Sequence, residues 1–286
     1  MPPDITSFFH RDTWTITHVI CDPESKACAI IDPVLDFNSS SARSETTAAD
    51  EIIAWLRARK LSVEWLLETH VHADHLSAAH YFKEQVGGRI GISSRVIEVQ
   101  TAFKALFNVE PEFAVDGSQF DHLFEDNENF KIGGTNATAW QTPGHTPACT
   151  TYLVGNAAIV GDTVFMPDSG TARTDFPGGD AAMLYRSIQR ILSLPAETIL
   201  YMCHDYAPGG RDFSWVTTVA EEREQNLHVR DGVSEAEFIR LREERDASLD
   251  VPDLILPSVQ VNMRAGRFPP PEANGVSYLK LPLNVL

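Results

Sequence analysis

Cysteine is scarce in this chain, bases are outnumbered by acids, and no apolar run approaches the length of a membrane span. The four cysteines among 286 residues, Cys21, Cys28, Cys149 and Cys203, are too few for a disulfide framework. Cys21 and Cys28 flank the turn Asp22-Pro23-Glu24-Ser25 and could face each other across a hairpin. Small buried thiols in a reducing compartment are the plainer expectation. Lysine and arginine number 23 against 40 acidic residues, which leaves a formal charge of -17. That surface repels phosphate backbones, and no run of basic residues reverses it locally, so nucleic acid is not an expected partner. An arginine facing an active site becomes more informative in such a field, because it must draw an anion against the overall charge. The opening residues MPPDITSFFHRD show neither an export signal nor the Arg/Ser-rich pattern of a transit peptide. The expectation is a cytoplasmic protein with no membrane contact.

What is present is a large apolar fraction, 43%, enough for a sizeable core. Residues 13–21 and 27–32 read as two strands, 38–44 as a polar loop, and Thr47 as the N-cap of a helix through Ile52, Ile53 and Leu56. An apolar strand over 63–69 precedes helices at about 76–85 and 95–107, with a short strand near 89–92 between them. Strand-like pieces follow at 129–133, 136–142, 149–154 and 157–161, then a helix at about 180–193 and a strand at 197–203. Two polar helices, 215–226 and 234–247, lead to a proline-rich tail over 252–286 that reads as an extended wrap. This order suits two helix-covered sheets in one domain over 1–286, with a single doubly wound sheet as the alternative.

The chemistry concentrates in Thr69-His70-Val71-His72-Ala73-Asp74-His75, where three histidines and a carboxylate fall within six residues after the apolar strand. In extended chain His70 and His72 share a side, and a turn brings Asp74 and His75 to the same spot. Imidazole and carboxylate suit zinc, iron or manganese, as one ion or two. Three later strand ends deliver further donors: His145 in Thr142-Pro143-Gly144-His145-Thr146, Asp162 after AAIVG, and His204 in Cys203-His204-Asp205-Tyr206. Each alone is weak, since a strand-end His or Asp is more often solvated or capping. Together they describe a site assembled from several loops.

These motifs, HxHxDH followed by His, Asp and His, resemble the metallo-β-lactamase superfamily over about residues 15–206. The resemblance implies an α/β fold, the four-layer αββα sandwich. It implies one metal on His70, His72 and His145, another on Asp74, His75 and His204, and Asp162 bridging them. The segment Ala172-Arg173-Thr174-Asp175-Phe176 is similar to that of the ETHE1-like persulfide dioxygenases, as are TPGHT (142–146), HDY (204–206), EEREQN (221–226) and VNMR (261–264). That similarity implies oxidation of glutathione persulfide by O2 to sulfite and glutathione. It also implies one Fe(2+) per chain, held by His70, His145 and Asp162. His72, Asp74, His75 and His204 would then orient ligands or water. Arg173, Thr146, Tyr206 and Arg264 would line the glutathione pocket, with His228 or Arg230 near the family's second basic position. A homodimer is expected from the tail. The alternative is a glyoxalase II-like hydrolase of S-acyl glutathione, using every ligand around two ions, Zn2+ for instance, to lower the pKa of a water.

Overall fold

The computed structural model describes residues 3–285. Strands Asp4–His10, Thr15–Cys21, Ala27–Ile31, Ser62–Leu67, Arg89–Ser93 and His122–Phe124 form one six-stranded sheet in that order. Its first pairings are antiparallel, and those from Ala27–Ile31 onward are parallel. Strands Glu128–Ile132, Thr135–Gln141, Thr150–Val154, Ala157–Ile159, Ile199–Tyr201 and Val216–Thr218 form the second.

Side chains alternate across a strand, so a strand buried on both faces must be apolar at every position. Ala27–Ile31 shows this. Ala29 and Ile31 point between the sheets with Trp65, Leu67, Tyr152 and Ile159, while Cys28 and Ile30 point outward into a helix-covered layer. That outer layer is closed by Ile52, Ile53 and Leu56 of helix Thr47–Arg59, Phe82 of Ala79–Val86, and Val99 and Phe103 of Val96–Leu106. On the far side Leu184, Ile188 and Ile191 of Ala181–Leu192 pack with Phe238 of Glu235–Asp246 over the second sheet. The four-layer αββα sandwich is therefore observed, and a single doubly wound sheet is not.

The local differences from the sequence reading have identifiable causes. Residues 38–44 are not a plain loop. Strands Val34–Asn38 and Arg43–Glu45 pair across a turn in which the Asn38 side chain accepts from Ser41 N at 2.9 Å, and the second of them, exposed throughout, leaves no apolar signal. The helix beginning at Thr47 has Thr46 as its cap position, and Asp36 from the neighbouring strand accepts from Ala48 N at 2.9 Å. The expected helix over 215–226 is a strand, Val216–Thr218, then a helix, Val219–Gln225. The Thr218–Glu221 capping box sets that boundary. The tail is not all extended: helix Ile255–Asn262 buries Ile255, Val259 and Val261 against the first outer layer. Strands Asp4–His10 and His122–Phe124 carry too little alternation to be read beforehand. Among the described residues, no helix is long and apolar enough to cross a membrane.

Candidate metal centre

Parallel strands Ala27–Ile31 and Ser62–Leu67 end on the same side of the sheet, where α/β proteins place their functional loops. Asp32 follows the first, in a left-handed backbone conformation (φ 51°), and its carboxylate is fully buried. It accepts from Thr69 N at 2.7 Å, from Thr69 Oγ1 at 2.9 Å and from His72 Nε2 at 2.9 Å. The cluster loop is thus fixed from beneath by a carboxylate that the sequence reading did not single out. From above, the buried amide of Asn262 donates to His72 O at 2.9 Å and His75 O at 2.8 Å, and accepts from Ser77 N at 2.7 Å. The helix in the tail is therefore part of the loop's support.

The other donors arrive on turns that demand unusual backbone. Gly161 (φ 54°) precedes Asp162, and a Cβ there would meet the Thr69 side chain at 2.7 Å. Gly144 (φ 146°) precedes His145, and its Cβ would lie 2.3 Å from the backbone of Leu184. A helix backbone cannot yield as a side chain does. Gly144→Ala is therefore expected to cost at least the roughly 1–3 kcal/mol of an overpacked core, with His145 displaced. Denaturant unfolding of the variant checks this, and an unchanged midpoint would show that the loop gives way freely.

The structure brings His70, His145 and Asp162 together, with one donor atom from each inside a 4.8 Å sphere of mutual distances, and likewise His72, Asp74, His75 and His204. The His72 ring stands between the groups, its centroid 4.0 Å from that of His70 and 4.1 Å from that of His75. Most rings have one nitrogen engaged. Nδ1 of His70 meets Thr69 Oγ1 at 3.0 Å, Nδ1 of His75 meets Leu76 O at 3.2 Å, and Nδ1 of His145 donates to Arg173 O at 2.7 Å. His70 Nε2, His72 Nδ1, His75 Nε2 and both nitrogens of His204 are buried with no hydrogen-bond partner among the described residues. Orphaned buried nitrogens in one small volume, on rings oriented by their other nitrogen, are what a metal site requires.

Protonation agrees with this use. Burial, reinforced by the neighbouring imidazoles, holds His70 well below the usual histidine range. Burial, then His72, brings His75 down to about 3. Both rings are neutral at physiological pH, the form that ligates. For His72 burial acts in the same direction, but Asp32 and Glu68 outweigh it and hold it well above that range; a metal ion on Nδ1 would take the place of the proton.

Asp162 faces both groups. Its Oδ2 lies 3.6 Å from His145 Nε2 and 3.8 Å from His70 Nε2, while Oδ1 lies 3.5 Å from His204 Nε2. His204 Nε2 in turn lies 3.1 Å from Asp74 Oδ2. One carboxylate presents one oxygen to each half. This donor set fits two ions, and the residues around it match a family model described as the metallo-beta-lactamase superfamily over residues 17–204. The chain belongs to the metallo-β-lactamase superfamily.

Within that superfamily, the chain is 54% identical to a probable metallo-hydrolase of Burkholderia pseudomallei over 99% of both chains. It is 50% identical to the glyoxylase B2 of Dictyostelium discoideum, over 94% of this chain and 92% of that one. The human persulfide dioxygenase matches at 30%, over 92% of this chain and 88% of that one. The crystal structure titled ETHE1 from Myxococcus xanthus superposes with a TM-score of 0.73 at 28% identity, over 92% of this chain and all of that one. The expectation of an ETHE1-like persulfide dioxygenase is thereby corrected, and with it the oxidoreductase assignment. Full-length relatives at 50–54% carry hydrolase or glyoxylase names, and the dioxygenases are distant. Metal binding stands, with the identity of the metal left open by His and Asp donors.

The segment that suggested the dioxygenase has a local use. Arg173 closes on Asp175 with two contacts of 2.6 Å and donates to Asp250 O at 2.6 Å. Its own carbonyl carries His145. Arg173 and Tyr206 line the cavity over the metal centre, a space of about 570 Å3. Thr146 is buried behind His145 with its hydroxyl on Cys149 Sγ at 3.2 Å, and Arg264 is paired with Glu110 at 2.6 and 2.8 Å, neither on that cavity's wall. His228 is a wall support: its Nδ1 accepts from Thr171 N at 3.0 Å. Two arginines passed over in the sequence, Arg242 and Arg245, also line the cavity. Both come from a polar helix whose pattern gives no hint of which face meets a pocket.

Proposed function

We propose that this chain is a glyoxalase II-like dinuclear metal hydrolase acting on S-acyl glutathione thioesters. The observation that carries the reading is the division of the Asp162 oxygens between two intact donor groups, one with His70 and His145, the other with His204 and Asp74. The second group has its own cluster of buried histidine nitrogens and a carboxylate, a donor set that suits a second ion. The hydrolase and glyoxylase names of the full-length relatives agree with it. A bound pair of divalent ions supplies Lewis-acid polarisation of a carbonyl and a water acidic enough to be deprotonated near neutral pH.

The chain's own residues supply binding and orientation. Asp32, Thr69 and Asn262 fix the loop that presents His70, His72 and His75. The cavity falls within the usual range for a small ligand. Tyr206 stacks on His204 with planes 4° apart, and Trp14 lies beside it with centroids 6.0 Å apart, so the mouth offers an aromatic rim. Of the lining arginines, Arg173 is committed to Asp175 and Arg242 to Asp246 and Thr171 O. Arg245 makes no side-chain ion pair or hydrogen bond among the described residues, and it meets a carboxylate of the thiol carrier in this reading. Arg245→Ala is then expected to raise KM about tenfold, the worth of one charge-assisted hydrogen bond, with kcat little changed. Steady-state kinetics on S-lactoylglutathione would show it; an unaltered KM would place the carboxylate elsewhere.

The reading itself is tested by elemental analysis of protein from metal-replete growth, alongside hydrolysis of S-lactoylglutathione. Two ions per chain with thioester cleavage are expected. A single ion and no cleavage would sink the proposal.

A further inference from the structure

Three of the four cysteines have ordinary surroundings. Cys21 and Cys28 face each other across paired strands, and Cys149 sits under Thr146. Cys203 differs. It is completely buried, packs with Phe165 and Ala172, and its Sγ lies 2.6 Å from Asp162 Oδ1, the oxygen that faces His204. Its backbone is held as well, since Cys203 O accepts from Ile16 N at 2.7 Å across the gap between the sheets. Burial against Phe165 and Ala172 on a held backbone restricts the thiol, so it offers the carboxylate a fixed partner.

From this contact we infer that Cys203 is a positioning residue, whose S–H donates to Asp162 Oδ1 and sets the turn of the carboxylate that divides its oxygens between the two halves. A carboxylate rotates easily about its final bond, and Oδ2 faces His70 and His145 at 3.8 and 3.6 Å, too far to pin it. A fixed donor on Oδ1 removes that rotation before any metal arrives, which lowers the ordering cost of binding. Cysteine suits the place because it is a small apolar side chain with one weak donor, so it fills the wall without adding an unsatisfied group. The inference takes the two-metal reading as its setting, but its contact with Asp162 is present whichever count holds.

The test is a cobalt(II) titration of metal-free wild type, Cys203→Ala and Cys203→Ser, followed by visible absorption and by elemental analysis after gel filtration. Wild type is expected to bind two cobalt ions. In Cys203→Ala one of them, on the His204 side, is expected to weaken by about 10–100-fold, as for loss of a group that orients a ligand. Cys203→Ser keeps a donor of nearly the same size and is expected to recover most of that loss, which simple loss of packing would not allow. Equal affinity in the alanine variant would overturn the inference. So would a sulfur-to-cobalt charge-transfer band in wild type that vanishes in the serine variant, because Sγ would then be a ligand itself. A wild type that takes only one cobalt removes the two-metal reading by itself. The comparison of alanine with serine still decides the role of Cys203 on that single ion.

Discussion

Asp162→Ala is expected to empty both halves of the metal centre and abolish measurable thioester hydrolysis. The loss should exceed the roughly 10–100-fold that follows removal of a group merely orienting a ligand, because this carboxylate supplies an oxygen to each half. Its Oδ2 is within 3.8 Å of His70 and His145, and its Oδ1 within 3.5 Å of His204. Without it, the histidines must hold two divalent cations with Asp74 as the remaining acid of the two groups that face each other across Asp162. The charge balance of the site then fails before its geometry does. The metal-free fold should survive, since the strand and turn that carry Asp162 are held by backbone contacts such as Val160 N to Tyr201 O at 3.1 Å. Circular dichroism and metal analysis of the purified variant check both points together. A variant that retains two ions would show that Asp162 does not bridge.

Asp32→Ala should have the second-largest effect, on stability as well as on metal. Its carboxylate is buried, and the alanine leaves Thr69 N, Thr69 Oγ1 and His72 Nε2 without their acceptor. Breaking a buried ionic contact from one side costs about 3–5 kcal/mol. Asp32→Asn separates charge from shape: its amide oxygen can still accept from His72 and Thr69 N, while its amide nitrogen faces the Thr69 hydroxyl, which can accept. That variant should fold with a small penalty yet bind metal on His72 about 10–100-fold more weakly, because the imidazole loses the negative charge behind it. Urea unfolding of metal-free protein and metal titration measure the two effects separately. Equal losses of stability in both variants would mean that charge, not shape, is what Asp32 provides to the fold.

Much of the site was legible in the chain because its donors are chemically distinctive and locally spaced. His70, His72, Asp74 and His75 lie within one turn-and-strand segment, and the period of two already places His70 and His72 on a common side. The sandwich was legible for a similar reason, since strands apolar at every position require cover on both faces. What escaped were partners joined over long separations. Asp32 is one unremarkable acid at a strand end, 40 residues before His72. Asn262 reaches His72 across 190 residues, from a tail whose prolines mask a helix. Arg173 misled for a physical reason: it looked like a free cation awaiting an anion, whereas Asp175, two residues on, neutralises it and turns the segment into a brace for His145.

From its order of residues alone, this protein was committed to histidine and carboxylate donors at the ends of apolar strands, because those residue types and that periodicity are properties of short stretches. Which of those donors meet, and that one carboxylate offers an oxygen to each of two groups, was decided only in three dimensions. Such contacts depend on how distant loops pack against one another, and no local pattern records that packing.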